Sequence, residues 1–194
     1  MGLDKALQKA ILPASVLVIA VLAALGGDRL RLAFRYERTA IEAGEFYRLV
    51  SGHFVHLGWS HLVLNAAGLG LAWFLVGPVF SATQWLFVIA TTLVIIDAGF
   101  WLILPGLSWY VGLSGLLHGI LAAGAVGSWR KIESRLILVV LVAKLAYESL
   151  VGVLPGTTGA TGGDVVTEAH LYGFLGGVIS SIIVSVGNRR RAPI

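Results

Sequence analysis

Three short segments place a nucleophile, a base and hydrogen-bond donors at the starts of apolar runs. The segment GLSGLLHG puts Ser114 in the first turn of one run, and EAHLYGFLGG puts His170 in the first turn of another. In SHLVLNAAGL, His61 and Asn65 are four residues apart, so both lie on one face of a helix. A serine hydroxyl needs a base such as histidine within hydrogen-bond reach to become a good nucleophile. Together these residue types could perform acyl transfer.

The chain that carries these segments is strongly apolar. Of its 194 residues, 57% are hydrophobic and only 12% are charged, and the mean hydropathy is +0.89. Because these values lie far outside those of a water-soluble domain, we predict an all-α polytopic membrane protein. The net charge of +4 could suggest nucleic acid, but the cations lie at segment boundaries, so no nucleic-acid partner is expected. The lack of cysteine excludes disulfides, catalytic thiols and thiolate metal sites.

Six apolar segments have about the length of a membrane span. They cover residues 11–27, 61–77, 83–104, 112–129, 136–154 and 165–186. The second and third are separated by no charged residue, so Gly77 and Pro78 must provide the turn. The first could be a cleaved signal peptide, but it lacks a clean cleavage site followed by a soluble domain. We therefore expect six transmembrane helices, surrounded by membrane lipid, in one domain over residues 1–194.

Positively charged residues predict the orientation of these helices. Clusters occur at the N-terminus, in the fourth connection and at the C-terminus: Lys5 and Lys9; Arg130, Lys131 and Arg135; Arg189, Arg190 and Arg191. All three fall on one side of a six-helix chain, so both termini are expected in the cytoplasm. Helices two, four and six then begin on the outer side. The first connection mixes five arginines with four carboxylates, and we interpret it as a folded interfacial loop.

Glycines spaced by four residues explain how the chemical groups could meet. Gly115 in the fourth segment and Gly173 in the sixth are each followed by another glycine four residues later. This pattern lets two transmembrane backbones approach closely, and contact between the two faces would bring Ser114 and His170 together. Helix N-termini also offer free N–H groups that stabilise a developing oxyanion.

In this order the motifs resemble those of the rhomboid intramembrane serine proteases. The matching residues are Gly112, Ser114, Gly115, Gly119 and Ala123; Ala169, His170, Gly173 and Gly177; and His61 and Asn65, with His56 in the preceding loop. The resemblance implies a catalytic dyad of Ser114 and His170. It also implies an oxyanion hole formed by the backbone N–H of Ser114 and the side chains of His61 and Asn65. We expect no metal and no cofactor.

Two positions depart from the pattern of many rhomboids. His118 stands where a tyrosine often stacks on the catalytic histidine, and Tyr47 precedes Arg48 where tryptophan is common. We predict that His118 lies against His170 and steadies its ring, with Gly112, Gly115 and Gly173 as further supporting residues.

The segments GHFVHLGWSHLVLNAAGL and GLSGLLHGILAAGA, with the compact length, most resemble the rhombosortase branch of the family. This resemblance implies exported substrates with a C-terminal tail made of a Gly-Gly motif, a hydrophobic helix and a basic end. We accordingly expect the bacterial inner membrane, with the site opening toward the periplasmic or outer side.

Other interpretations of the same residues remain open. A catalytically inactive relative, acting as a membrane chaperone or binding scaffold, would characteristically lose the serine or the histidine, and this chain keeps both. A transporter would be expected to show an internal repeat, and none is convincing. His53, His56 and His61 could be metal ligands, although no carboxylate or thiol lies nearby in sequence.

Charged residues inside the apolar segments need partners. We interpret Lys144 and Glu148, four residues apart, as a mutually neutralising pair, with a proton relay as the alternative. Asp97 is an intramembrane charge whose partner the sequence does not identify. The glycine-rich fifth connection, LPGTTGATGGDVVTEAH, is expected to be a mobile cap in front of His170.

Overall fold

The computed structural model describes the backbone of residues 2–191 and the side chains of residues 10–188. The helices are α1 Gly2–Leu25, α2 Gly27–Phe34, α3 Arg38–Glu42, α4 Arg48–Ser51, α5 Trp59–Val76, α6 Ala82–Leu102, α7 Ser114–Gly127, α8 Ile132–Leu150, α9 Thr157–Thr161 and α10 Glu168–Arg191. Two short strands, β1 Tyr36–Glu37 and β2 Trp109–Tyr110, pair antiparallel. The mostly helical fold is therefore confirmed.

Six of these helices overlap the six apolar segments, with ends that differ by up to nine residues: α1, α5, α6, α7, α8 and α10. Among the described helices, three are long and apolar enough to cross a membrane, over Trp59–Val79, Ala82–Leu102 and Glu168–Asn188. A fourth span results if α1 and α2 are counted together, although the chain bends by 117° between them. The passage of all six helices across the membrane stays a prediction.

The helices α7 and α8 are not among the three, for different reasons: α7 is too short and α8 carries too many charges. α7 is apolar but has 14 residues, fewer than the roughly 20 that a straight span needs. Ten of those residues are buried, because α5, α6, α8 and α10 pack around this helix at the centre of the bundle. α8 is long enough, but it contains four charged residues.

The structure describes the side chains of only one of the three basic clusters that predict the orientation. Lys5 and Lys9, and Arg189 to Arg191, lie outside the residues whose side chains the structure describes. The cytoplasmic location of both termini therefore stays a prediction.

α7 and α10 pack with their backbones in contact. A methyl group added to Gly115 would lie 2.8 Å from the carbonyl oxygen of Ala169, and one added to Gly119 would lie 2.9 Å from that of Gly173. A methyl group on Gly173 would collide with the carbonyl oxygen of Gly115. The close approach predicted from the glycine spacing is thus seen in the structure, and it sets the starts of the two helices side by side.

The first connection is folded, as its mixed charges predict. The Arg38 guanidinium donates to the carbonyl oxygens of Phe100, at 2.6 Å, and Leu104, at 3.0 Å, at the end of α6. Arg48 is buried and donates to the Glu45 carboxylate at 2.7 Å. Because the last carbonyls of a helix lack intrahelical partners, Arg38 both satisfies α6 and fixes the connection at the end of the bundle where α7 and α10 begin.

The fifth connection is more ordered than expected. It contains the short helix α9, between Gly156 and Gly162, whose left-handed backbones have φ values of 81° and 80°. The Thr161 side chain is buried, and Val166 packs against the apolar cluster around Phe100. α9 and Val166 therefore give this connection structure of its own, while its role as a mobile cap stays a prediction.

Candidate active site

Ser114 and His170 meet where α7 and α10 begin. Ser114 is the first residue of α7 and is half-buried, whereas His170, near the start of α10, is only 4% exposed. The Ser114 Oγ and His170 Nε2 atoms are 3.0 Å apart, which is a hydrogen-bond distance. A nucleophile and a base therefore stand in the geometry that proton transfer requires.

The turn before Ser114 depends on Gly112. Its φ of +130° is a conformation that side-chain-bearing residues rarely adopt, and an added methyl group would lie 2.9 Å from the His61 ring. The backbone N–H of Gly112 donates to the Gly52 carbonyl at 3.1 Å, and the Tyr110 hydroxyl donates to the Gly112 carbonyl at 2.6 Å. Burial raises the pKa of Tyr110, so this hydroxyl stays a neutral donor. These contacts fix the entry into α7.

His118 lies one turn after Ser114 and stacks on His170. The two ring centroids are 4.2 Å apart and the ring planes differ by 18°. His118 Nδ1 is 2.7 Å from the carbonyl oxygen of Ser114, which orients its ring. This is the arrangement predicted for the residue that stands in place of the stacking tyrosine, while its effect on activity stays a prediction.

His61 and Asn65 approach the same site from α5. The Leu57 backbone N–H donates to His61 Nδ1 at 3.5 Å, so the ring proton belongs on Nε2, the atom nearer Gly112. Asn65 is 5% exposed, and its Nδ2 has no hydrogen-bond partner within the described part of the chain. A buried amide donor left unpaired is costly, so its position in the cavity wall is suited to a polar ligand.

Two cavities, each about 220 Å³, meet at Ser114 and His61. One is bounded by the connection before α7 and by residues 164–166. The other lies among α5, α7, α8, α9 and α10 and includes Asn65, His118 and His170 in its wall. A larger cavity of about 610 Å³ beside Asp97 contains none of these groups, so size alone does not identify the site.

Glu148 and Lys144 contact His170 from α8. Glu148 Oε2 is 2.9 Å from His170 Nδ1, and Lys144 Nζ donates to Glu148 Oε1 at 2.6 Å. Lys144 Nζ is also 3.2 Å from His170 Nδ1. The predicted neutralising pair is therefore seen, but sequence analysis missed its contact with His170. The only signal was a charged pair inside an apolar segment, which is rare without a functional partner.

The residues around His170 do not fit a metal ion. His118, Glu148 and His170 are the one group of three possible ligands found among the described residues, with ligand atoms within 4.8 Å of one another. The two imidazoles lie in nearly parallel planes, so their lone pairs cannot converge on one tetrahedral ion. The Lys144 ammonium also occupies the space beside Glu148 and His170.

The family assignment rests on most of the chain. A family model for the rhomboid domain matches residues 43–187, which include α4 to α9, most of α10 and every site residue described above. The chain belongs to the rhomboid family. It is accordingly a multi-pass membrane protein of an intramembrane protease family that acts on transmembrane substrates. No curated protein matches the sequence.

A second histidine–carboxylate pair of this rhomboid protein joins His53 and Asp97. His53 Nε2 is 3.2 Å from Asp97 Oδ1, which identifies the partner of Asp97 that the sequence could not. His56 and His61 instead pack edge to face, with ring centroids 5.0 Å apart. The three histidines considered as metal ligands therefore do not converge on one point.

Proposed function

We propose that this rhomboid protein is an intramembrane serine endopeptidase in which Ser114 is the nucleophile and His170 the base. The observation that carries the proposal is the 3.0 Å contact between Ser114 Oγ and His170 Nε2 at a cavity that also contains buried amide and imidazole donors. An inactive scaffold is not favoured, because both residues are present and hydrogen-bonded to each other.

The proposed reaction uses Ser114 and His170 in two successive steps. Ser114 Oγ attacks the scissile carbonyl carbon while His170 Nε2 takes the hydroxyl proton, which it then gives to the departing amine. The oxyanion accepts hydrogen bonds from the Ser114 backbone N–H, His61 Nε2 and Asn65 Nδ2. Water then attacks the acyl-enzyme with His170 again as base, and the products are a free acid and a regenerated serine.

The substrate proposed is a transmembrane protein with a C-terminal tail of the rhombosortase type: a Gly-Gly motif, a hydrophobic helix and a basic end. A helical backbone cannot be cut while its carbonyls are hydrogen-bonded, and glycine lowers the free energy needed to unwind it. The two cavities on either side of Ser114 suit a short extended chain that crosses the nucleophile.

The membrane arrangement belongs to the same proposal. One domain over residues 1–194 crosses the bacterial inner membrane six times, with both termini in the cytoplasm. The starts of α5, α7 and α10 then lie toward the periplasmic side, where α9 covers the cavity and its displacement admits substrate and water.

The test is to supply the purified protein with a reporter fused to such a tail and to weigh the products by mass spectrometry. We expect a free-acid product with wild-type protein and no product with Ser114→Ala. Equal cleavage of a Leu-Leu variant of the tail would contradict the unwinding argument. A product heavier than the free acid would replace hydrolysis by transfer to an amine.

A further inference from the structure

Glu148 lies on the opposite side of the His170 ring from Ser114. Its side chain is 3% exposed, so its carboxylate is removed from water. One carboxylate oxygen is 2.9 Å from His170 Nδ1, and the other accepts a hydrogen bond from Lys144 at 2.6 Å. Side chains from α7, α10 and α8 thus form one continuous line of hydrogen bonds that begins at the nucleophile.

We propose that Glu148 is a positioning residue for His170, so that the site works as a Ser-His-Glu triad with Lys144 holding the carboxylate. This inference rests on the proposed function, because it requires His170 to act as the base. Sequence motifs of the nucleophile and the base do not contain Glu148, which lies on another helix.

A neutral imidazole carries a single ring proton, on either Nδ1 or Nε2. His170 Nε2 can accept the Ser114 proton only if it carries the lone pair, so the ring proton must reside on Nδ1. An ionised carboxylate can only accept a hydrogen bond, so Glu148 favours this tautomer. An ammonium can only donate, so Lys144, 3.2 Å from Nδ1, favours the inactive one.

The distances favour Glu148 in this competition. The Glu148 contact with Nδ1 is 2.9 Å, shorter than the Lys144 contact with the same atom. Lys144 also donates to Glu148 at 2.6 Å, which directs one of its protons away from the ring. With Glu148 present, His170 therefore holds its proton on Nδ1 and turns its lone pair toward Ser114.

The same carboxylate assists during proton transfer. When His170 takes the Ser114 proton its ring becomes positive, and a negative charge in contact with Nδ1 stabilises it where water is excluded. Before the reaction, Lys144 compensates the carboxylate, which would otherwise be an unpaired buried anion. Glu148 keeps its own hydrogen bond throughout and does not take up the proton.

An ion pair with a purely structural role would not need the contact between Glu148 and His170. Two charges four residues apart on a helix neutralise each other without a third residue. That role uses only the Glu148 oxygen that faces Lys144, whereas the second oxygen contacts His170. The two roles therefore make different predictions when Glu148 and Lys144 are changed separately and together.

The first test is Glu148→Gln, measured with the tail reporter. Replacing the acid of a serine-protease triad by its amide lowers kcat by roughly 10⁴-fold through the wrong tautomer, so we expect a fall of about 10²–10⁴-fold with KM nearly unchanged. Asp97→Asn is the matched control, because it also replaces a carboxylate that contacts a histidine by the corresponding amide. Measured with the same reporter, Asp97→Asn should have a kcat within about threefold of wild type.

The second test is the double variant Lys144→Met with Glu148→Gln. In Glu148→Gln alone, Lys144 is free to donate to His170 Nδ1, so removing Lys144 should restore part of kcat, about tenfold. Nuclear magnetic resonance of ¹⁵N-labelled histidine should show the His170 proton moving from Nδ1 to Nε2 in Glu148→Gln. If that single variant does not fold, the double variant, which has no unpaired charge, should itself have kcat at least tenfold below wild type.

Three results would overturn the inference: wild-type kcat in Glu148→Gln, a double variant no more active than a folded single variant, or an unchanged tautomer. Ser114→Ala separates the two proposals. If Ser114→Ala still cleaves the reporter, the proposed function is wrong. If Ser114→Ala is inactive while Glu148→Gln retains full activity, the role of Glu148 alone is wrong.

Discussion

His118 and His170 stack face to face, with ring centroids 4.2 Å apart. His118 Nδ1 is also 2.7 Å from the Ser114 carbonyl oxygen, so one side chain contacts both members of the proposed dyad. The His170 ring is therefore held at both nitrogens, by Ser114 at Nε2 and Glu148 at Nδ1, and on one face by His118.

The stacking contact predicts that an aromatic ring is what position 118 needs. His118→Tyr should keep kcat within severalfold of wild type, because a flat ring can still lie against His170. His118→Ala should lose at least about tenfold, since the catalytic ring gains freedom to turn. Steady-state cleavage of the reporter measures both, and equal activity of the three proteins would remove the orienting role.

Removal of one oxyanion donor should lower kcat and leave KM nearly unchanged. Asn65→Ala or His61→Ala should each lower kcat by about 10²–10³-fold, the usual effect of removing one donor. Thr92→Val is the matched control, because Thr92 Oγ1 is also buried without a partner in the described residues but lies outside the cavity at Ser114. An Asn65→Ala protein as active as Thr92→Val would contradict the oxyanion hole.

The glycine contact between α7 and α10 predicts that a glycine-to-alanine change in α10 lowers the melting temperature at the contact but not away from it. Gly173→Ala would push a methyl group into the Gly115 carbonyl and separate Ser114 from His170, so both melting temperature and activity should fall. Gly187→Ala lies in open space on the same helix and should be neutral or stabilise by up to about 1 kcal/mol. Thermal unfolding in detergent compares them; similar curves would argue against a tight interface.

His56, in the loop before α5, predicts sensitivity to acid. Burial, with His61 beside it, lowers the pKa of His56 from 6.5 to about 4. Between these values the unfolded chain binds a proton that the folded protein excludes, so stability is complete above pH 6.5 and declines as pH falls toward 4. His56→Phe should flatten the dependence of melting temperature on pH over this range. Parallel curves for the two proteins would show that His56 does not cause it.

Much of the site can be predicted from the sequence, because its residues are a few positions apart within one helix or stand beside the glycines at which two helices meet. Gly115 and Gly173 mark the faces on which α7 and α10 meet, and Ser114 and His170 stand beside those glycines, so close packing brings the two side chains together. His118 is one turn from Ser114, which fixes its direction from the period of the helix.

The remaining contacts depend on packing that no local pattern records. The spacing of Lys144 and Glu148 predicts that they meet each other, but not that α8 turns them toward His170, 22 residues from Glu148. Asp97 and His53 are likewise 44 residues apart and meet only because the first connection folds back onto α6. The glycines of the fifth connection suggest flexibility in the sequence, whereas in the structure two of them flank the short helix α9.

The most direct measurement of the central claim is the position of a fluorophosphonate adduct on the purified protein, determined by peptide mass spectrometry. Such probes react with a serine that a neighbouring base activates. We predict one adduct, on Ser114, that is absent from Ser114→Ala and nearly absent from His170→Ala. Labelling that persists at the wild-type rate in His170→Ala, or an adduct on any other residue, would contradict a site in which His170 activates Ser114.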